Sequence, residues 1–299
     1  MPGPVAPPAD LADALAAAKA AVDAELKRLL PLDQGQAPRI HDAIRHVVLS
    51  GGKRLRPLLC LFAGEALGAS RADLLPCAAA LELAHVFTLV HDDLPCMDDA
   101  DLRRGVATIH KVWDEAIAVL AGDALLNLTY QVLATDGSRA FPADRVLGAI
   151  RILAEGLGLD GVVGGQAWDI DPADADPERL EQTHLMKTAA FFSAALCVGA
   201  TLAGGTADHC TQLRSYAREL GLAFQIKDDL LDAAGDIAAT GKDARDAARG
   251  RTTYVSRYGV DGAMERMALH AERAREALEG YPNAGLLQGL AGYVVERAS

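Results

Sequence analysis

The stretch LLPCAAALELAHVFTLVHDDLPCMDD (residues 74–99) is apolar for most of its length and then closes on four aspartates, Asp92, Asp93, Asp98 and Asp99. Leu81, Leu83, Val86, Leu89 and Val90 fit a core helix from Leu74 to roughly Leu94, which Pro95 bends or ends by removing a backbone donor. The bend lets Asp92 and Asp93 converge with Asp98 and Asp99 at one helix mouth. A second helix, Tyr216 to Ala233, repeats the pattern: Leu222, Phe224 and Ile226 lead into Asp228, Asp229 and Asp232. Asp228 and Asp232 stand four residues apart and share one helix face, with Asp229 beside them. Carboxylates massed at the ends of apolar helices need a neutralising partner, and hard divalent cations with oxygen ligands supply one. Mg²⁺ keeps waters and bridges to substrate phosphates, so two such clusters facing one cavity would grip a diphosphate.

Helical periodicity extends outward from these two segments. Leu11, Leu15, Val22, Leu26 and Leu29 predict a first helix ended by Pro31. Further helices are predicted over Ile40–Leu49, Leu55–Leu67, Ile109–Leu133, Arg145–Leu157, Arg179–Leu202, Met264–Leu278 and Leu286–Arg297. No run alternates with period two between hairpin turns, so no sheet is predicted. No compositional linker divides the chain. Residues 1–299 therefore read as one all-α domain, a bundle of about 10–13 helices, with residues 1–9 as a frayed tail.

Composition narrows the function. A 51% hydrophobic and 23% charged chain has the balance of a soluble globular protein, and a net charge of −12 argues against a nucleic-acid partner. Five cysteines, odd in number and without CxxC spacing, read as buried thiols of a reducing, cytoplasmic setting. The N-terminal MPGPVAPP lacks the basic region of a signal peptide. The most membrane-like run, Ala189 to Gly205, carries Ser, Thr and Gly and fits a buried core helix, so no membrane span is expected.

Cations gather at defined points. Gly51-Gly52-Lys53-Arg54-Leu55-Arg56-Pro57 places three of them at a tight turn before a helix start, where unpaired N–H groups favour anions. Arg103-Arg104 follows the first acidic cluster, and Lys187-Thr188, Lys227, Gly241-Lys242 and Arg249-Gly250-Arg251 come later. Guanidinium forks bind phosphate bidentately and ammonium groups act as point charges. Together with the aspartates they predict one pocket for a metal-bound diphosphate and another for a metal-free one.

These motifs, with Gly164-Gly165-Gln166-Ala167-Trp168-Asp169 between them, resemble the trans-isoprenyl diphosphate synthases, most closely the bacterial farnesyl diphosphate synthase type. The resemblance runs from about residue 35 to the C-terminus. It implies an isoprenoid synthase fold with a deep central cavity, a homodimer, and up to three Mg²⁺ ions per subunit, replaceable by Mn²⁺. It implies that Asp92, Asp93, Asp98 and Asp228, with Asp99, Asp229 and Asp232 nearby, hold the metal. Arg103, Lys187 and Lys242 would contact the allylic diphosphate, with Thr188 and Gln225 close by. Gly52, Lys53, Arg56, His85 and Arg104 would form the isopentenyl diphosphate site, and Arg251 a further substrate contact. Phe87, five residues before Asp92 and about 7 Å deeper on a helix, would act with Thr88 as a floor that limits the product to C15, with C10 and C20 as the alternatives.

Three positions depart from the family pattern. Arg251 stands where a lysine is usual, Ala189 where Lys187-Thr188 is usually followed by glycine, and Ala100 where an aspartate is common. A different chemistry, a di-iron carboxylate bundle, would use Glu82-x-x-His85 and Glu181-x-x-His184 but leaves both aspartate clusters idle.

Overall fold

The computed structural model describes residues 9–31, 36–170, 177–234 and 253–296. Its elements are α1 (Ala9–Leu29), α2 (Pro38–Val48), α3 (Leu55–Ala66), α4 (Arg71–Asp92), α5 (Ile109–Val112), α6 (Glu115–Thr135), α7 (Gly137–Ala140) and α8 (Ala143–Leu157). There follow α9 (Val162–Ile170), α10 (Pro177–His184), a π-helical turn (Leu185–Ala189), α11 (Ala190–Leu202), α12 (Ala207–Ala233), α13 (Tyr254–Ala277) and α14 (Gly285–Glu296). Twelve of these helices have eight residues or more, and the fold is all-α as the periodicity predicts.

The one strand pairing among the described residues joins β1 (Leu102–Arg103) to β2 (Val106–Ala107) antiparallel, with Leu102 opposite Ala107. A ribbon of two residues a side is too short for alternation to announce it.

The centre is built on α4 and α11. Helix α4 packs against α3 and α6, while α11 packs against α3, α8 and α12. The Ala189–Gly205 run supplies the buried Phe191, Phe192, Leu196, Val198 and Leu202. Arg71–Asp92, Glu115–Ala140 and Arg179–Leu202 are long and apolar enough to cross a membrane by length and composition alone; the first and third bury 67% of their most apolar window within the fold, the second 44%.

Helix boundaries move for local reasons. The expected Ile109–Leu133 helix breaks at Trp113, because Asp114 caps a new helix by accepting the Ile117 N–H at 2.7 Å. Helix α12 starts nine residues before Tyr216, where the Thr206 hydroxyl and the His209 ring satisfy each other's backbone N–H in a capping box. Helix α13 starts ten residues before Met264 with an equivalent Thr253–Ser256 box, and kinks at Gly259 (φ +69°). The helix expected to reach Leu94 ends at Asp92, two residues short. Helix α9 was not foreseen, since two glycines mask its periodicity. Helix α1 begins at Ala9, and residues 1–8 of the expected tail lie outside the described residues.

Candidate active site

The acidic wall begins where α4 ends. Past Asp92 the chain folds back on itself: Asp98 N–H donates to the Asp92 carbonyl at 2.8 Å, Asp99 N–H to the Leu94 carbonyl at 3.0 Å, and Ala100 N–H to the Asp93 carbonyl at 3.2 Å. Asp99 takes a left-handed φ of +45° to close the turn. Asp93 is only 3% exposed, and its Oδ1 accepts both Nε (2.8 Å) and a terminal nitrogen of Arg103. Burial pushes the Asp93 carboxyl up, with Arg103 opposing. Burial also pushes Asp92 up, to about 6; Lys187 acts against this and Asp98 reinforces it. Asp98 and Lys187 therefore both lie within electrostatic reach of Asp92.

Lys187 and Thr188 sit in the π-helical turn between α10 and α11, an irregularity that turns side chains out of helical register and recurs at functional sites. Sequence reasoning predicted an unbroken helix here. Lys187 Nζ bonds Asp169 Oδ2 of α9 at 2.7 Å. The Thr188 hydroxyl donates to Gln225 Oε1 of α12 at 3.4 Å. The turn is tightly enclosed: a Cβ on Gly165 would stand 2.4 Å from the Lys187 nitrogen, and one on Gly221 would stand 2.7 Å from Ala189 Cβ. The extra methyl of Ala189 thus occupies space that Gly221 leaves open.

The second acidic cluster ends α12. Asp229 is buried and tied down: it accepts the Tyr254 N–H at the start of α13 (2.8 Å) and the Gln225 side-chain amide (3.3 Å). Burial pushes its carboxyl up to about 6, and those two donors oppose the shift. Asp228 lies within electrostatic reach of Arg56 from α3. The π-helical turn links the two walls, since Lys187 faces Asp92 while Thr188 reaches Gln225, one turn before Asp228.

Among the described residues no three His, Cys, Asp or Glu side chains come together as a preformed metal cage. Mg²⁺ needs none when it takes one or two carboxylates and completes its shell with phosphate oxygens and water. The donor set is all oxygen, and burial disfavours charge on Asp92, which a cation would relieve. The residues fit the ion.

The cationic wall centres on the Gly51–Gly52 turn. Arg56 lies between Phe191 and Phe192, its guanidinium 4.8 and 5.2 Å from the ring centres, and its Nε is buried without a partner. Burial pulls its pKa down to about 10, with Glu82 opposing and Arg104 adding to the fall. His85 is held neutral, its pKa well below the usual value, by burial first and then by Arg56 and Arg104. Lys53 Nζ stands 5.8 Å over the Phe224 ring. Arg54 turns inward instead, binding Asp23, Glu82 and the Val48 carbonyl, and is no anion ligand. Sequence reasoning quoted Asp169 in a motif without giving it a role, and missed Asp23 and the central place of Glu82. A cavity of about 270 Å³ lies beyond Lys53 and Phe224, walled by α1 and α14 rather than by the aspartates.

Phe87 is 6% exposed on α4 and packs edge-on against His91, ring centres 5.9 Å apart. The His91 ring is held by the Val119 carbonyl (3.2 Å) and fills the place of a Cβ at Gly122. The Thr88 hydroxyl donates to the His85 carbonyl at 2.7 Å. Lys242 and Arg251 lie outside the described residues.

Residues 37–279 match the family model for polyprenyl synthetase. The chain is 42% identical over 263 residues to a putative geranylgeranyl pyrophosphate synthase 8 of Arabidopsis thaliana chloroplasts, covering 85% of this chain and 73% of that one. It is 41% identical to geranylgeranyl pyrophosphate synthase 11 of the same plant, also chloroplastic, covering 92% and 79%. Among solved structures, an FPP/GFPP synthase from Zymomonas mobilis superposes with a TM-score of 0.85 at 33% identity, covering 96% of this chain and 99% of that one. A geranyltransferase from Legionella pneumophila superposes equally well, at 31% identity and with 96% and 97% covered. Five ordered motifs, an all-α fold and a match across most of the length agree: this chain belongs to the polyprenyl synthetase family, the trans-prenyl diphosphate synthases.

Proposed function

We propose that this prenyltransferase condenses an allylic diphosphate, dimethylallyl or geranyl, with isopentenyl diphosphate to give farnesyl diphosphate (C15) and diphosphate. The observation that carries this reading is the π-helical turn joining the two acidic walls through Lys187 and Thr188.

Asp92, Asp98 and Asp228, with Asp99 and Asp232 nearby, would hold Mg²⁺, which would neutralise charge on the leaving diphosphate. Asp93 and Asp229, expected from the sequence among the metal ligands, act in this proposal as braces, one gripping Arg103 and the other fastening α12 to α13. Lys187 and Arg103 bind the allylic diphosphate and favour departure of the C–O electron pair with it. Lys53, Arg56, His85 and Arg104 hold isopentenyl diphosphate so that its double bond attacks the allylic carbon. Thr188 and Gln225, joined by their 3.4 Å hydrogen bond, stand close to the allylic diphosphate in this reading. The proton released on forming the new double bond passes to the departed diphosphate, and apolar walls keep water from capturing the cation.

Phe87, braced by His91, forms the floor. Geranylgeranyl diphosphate is the second reading, favoured by the names of the plant relatives. The enzyme acts as a homodimer in this proposal, and the exposed Val119 and Leu120 of α6 and Leu147 of α8 provide apolar surface for a second copy. Purified protein incubated with Mg²⁺, labelled isopentenyl diphosphate and each starter should yield C15 alcohol after dephosphorylation. Absence of metal-dependent incorporation would overturn the activity, and a C20 product would overturn the chain length alone.

A further inference from the structure

Glu82 stands on α4, 1% exposed, outside every motif that marks the diphosphate sites. Its Oε1 accepts Arg54 at 2.8 Å and Arg104 at 3.1 Å, and its Oε2 is buried without a partner. Arg54, 2% exposed, is fully used, with further bonds to Asp23 Oδ1 and the Val48 carbonyl, each 2.8 Å. Arg104 is aimed by two contacts, Glu82 and the Gly51 carbonyl at 2.6 Å. Its guanidinium lies where a Cβ on Gly52 would come within 2.6 Å, and Gly52 itself holds a φ of +128°. Arg56 is in electrostatic reach of both Glu82 and Arg104 and keeps its Nε buried without a partner.

The charges leave one arrangement. Three guanidiniums surround Glu82, and Asp23 answers only Arg54. Arg56 and Arg104 repel one another, and among the described residues no other carboxylate forms an ion pair with Arg104. Removing Glu82 would leave Arg104 without its paired carboxylate and Arg56 with only the charge of Asp228 in reach, in a low-dielectric wall from which both would swing toward water. The geometry points to Glu82 as the positioning residue of the isopentenyl diphosphate site, a buried carboxylate that neutralises and aims Arg104, and with it Arg56, while leaving their remaining N–H donors for the diphosphate. This rests on the reading that Arg56 and Arg104 bind that substrate.

The test is the isosteric Glu82→Gln, with KM measured separately for the two substrates. The KM for isopentenyl diphosphate should rise about tenfold or more, as expected when a charged hydrogen-bond partner is lost, while that for the allylic diphosphate stays within about twofold. At saturating isopentenyl diphosphate kcat should recover to within about threefold. Asp23→Asn, which loosens Arg54 alone, should lower the melting temperature without separating the two KM values. Equal change in both KM values, or a lowered melting temperature alone, would overturn the role. Should Glu82→Gln fail to fold, Gly52→Ala, which pushes directly on the Arg104 guanidinium, must give the same one-sided KM rise. Arg104→Gln and Arg56→Gln test the underlying reading: if neither moves the isopentenyl diphosphate KM, the site assignment fails rather than the role of Glu82.

Discussion

In the proposed scheme the two diphosphate sites are built with opposite charge, and that contrast lets one enzyme sort two substrates carrying the same anion. On one side carboxylates are in excess: Asp92 lies beside Asp98 and Lys187, and Asp228 with Asp232 closes α12. On the other side guanidiniums are in excess, around a single buried glutamate. A diphosphate alone is repelled from the first wall and attracted to the second. The first wall becomes hospitable only when cations arrive with the substrate. Selectivity between allylic and homoallylic partners then begins with charge, before either hydrocarbon tail is read.

The hardest blow to this contrast falls on the acidic wall. Asp92→Ala or Asp228→Ala should lower kcat about 10³-fold or more, because each removes a ligand of the charge that stabilises the leaving group. The circular dichroism spectrum should stay that of the parent, and near-normal turnover in both variants would contradict the scheme. Chelation of divalent metal sharpens the comparison in one experiment. Calorimetry in EDTA should abolish binding of an allylic diphosphate while leaving the affinity for isopentenyl diphosphate within about threefold, since only on the second wall do cations outnumber carboxylates. Equal loss of both ligands would mean the walls are not distinct.

A smaller change in rate, but a qualitative change in product, is expected at the floor. Phe87→Ala should shift the alcohols toward C20 and longer, at a stability cost of about 3–5 kcal/mol for a buried phenylalanine. Gly122→Ala reaches the same floor from behind, by displacing the His91 ring that packs on Phe87. An unchanged product profile in both variants would place the floor elsewhere.

How much of this was legible in the chain follows from range. The aspartates were legible because they interrupt helical periodicity locally, and so was the core role of α4 and α11. The π-helical turn at Leu185–Ala189 was not, because its register is set by close packing of Gly165 and Gly221 from other helices. Glu82 was read only as half of a Glu-x-x-His pair with His85. In the structure those two share the cationic wall, Glu82 binding Arg54 and Arg104 and His85 held neutral. That meaning depends on partners 28 and 22 residues away, which no local pattern records. Arg54 looked like its neighbours Lys53 and Arg56, yet its left-handed backbone (φ +54°) turns it into the protein.

Each wall also buries one neutral histidine, and acid should distinguish them with the smallest of these effects. His184 stacks on Tyr254 (5.6 Å, 24°) behind the acidic wall; burial pulls its pKa to about 4, with Asp169 opposing and Lys187 assisting. His85, among the guanidiniums, is held well below its usual value. In the unfolded chain both would take up a proton near 6.5, so below that pH, down to about 4 for His184, these two rings lower stability as pH falls, while the raised Asp92 and Asp229 carboxyls act in the opposite sense. The stabilisation is fully present above 6.5. Denaturation midpoints measured from pH 7 to 4 should fall in the parent relative to His184→Gln, which no longer resists protonation. His85→Gln should show the same pH-dependent difference from the parent and, unlike His184→Gln, should raise the KM for isopentenyl diphosphate. A difference between parent and variants that stays constant between pH 6.5 and 4 would show that neither ring is held neutral by its surroundings.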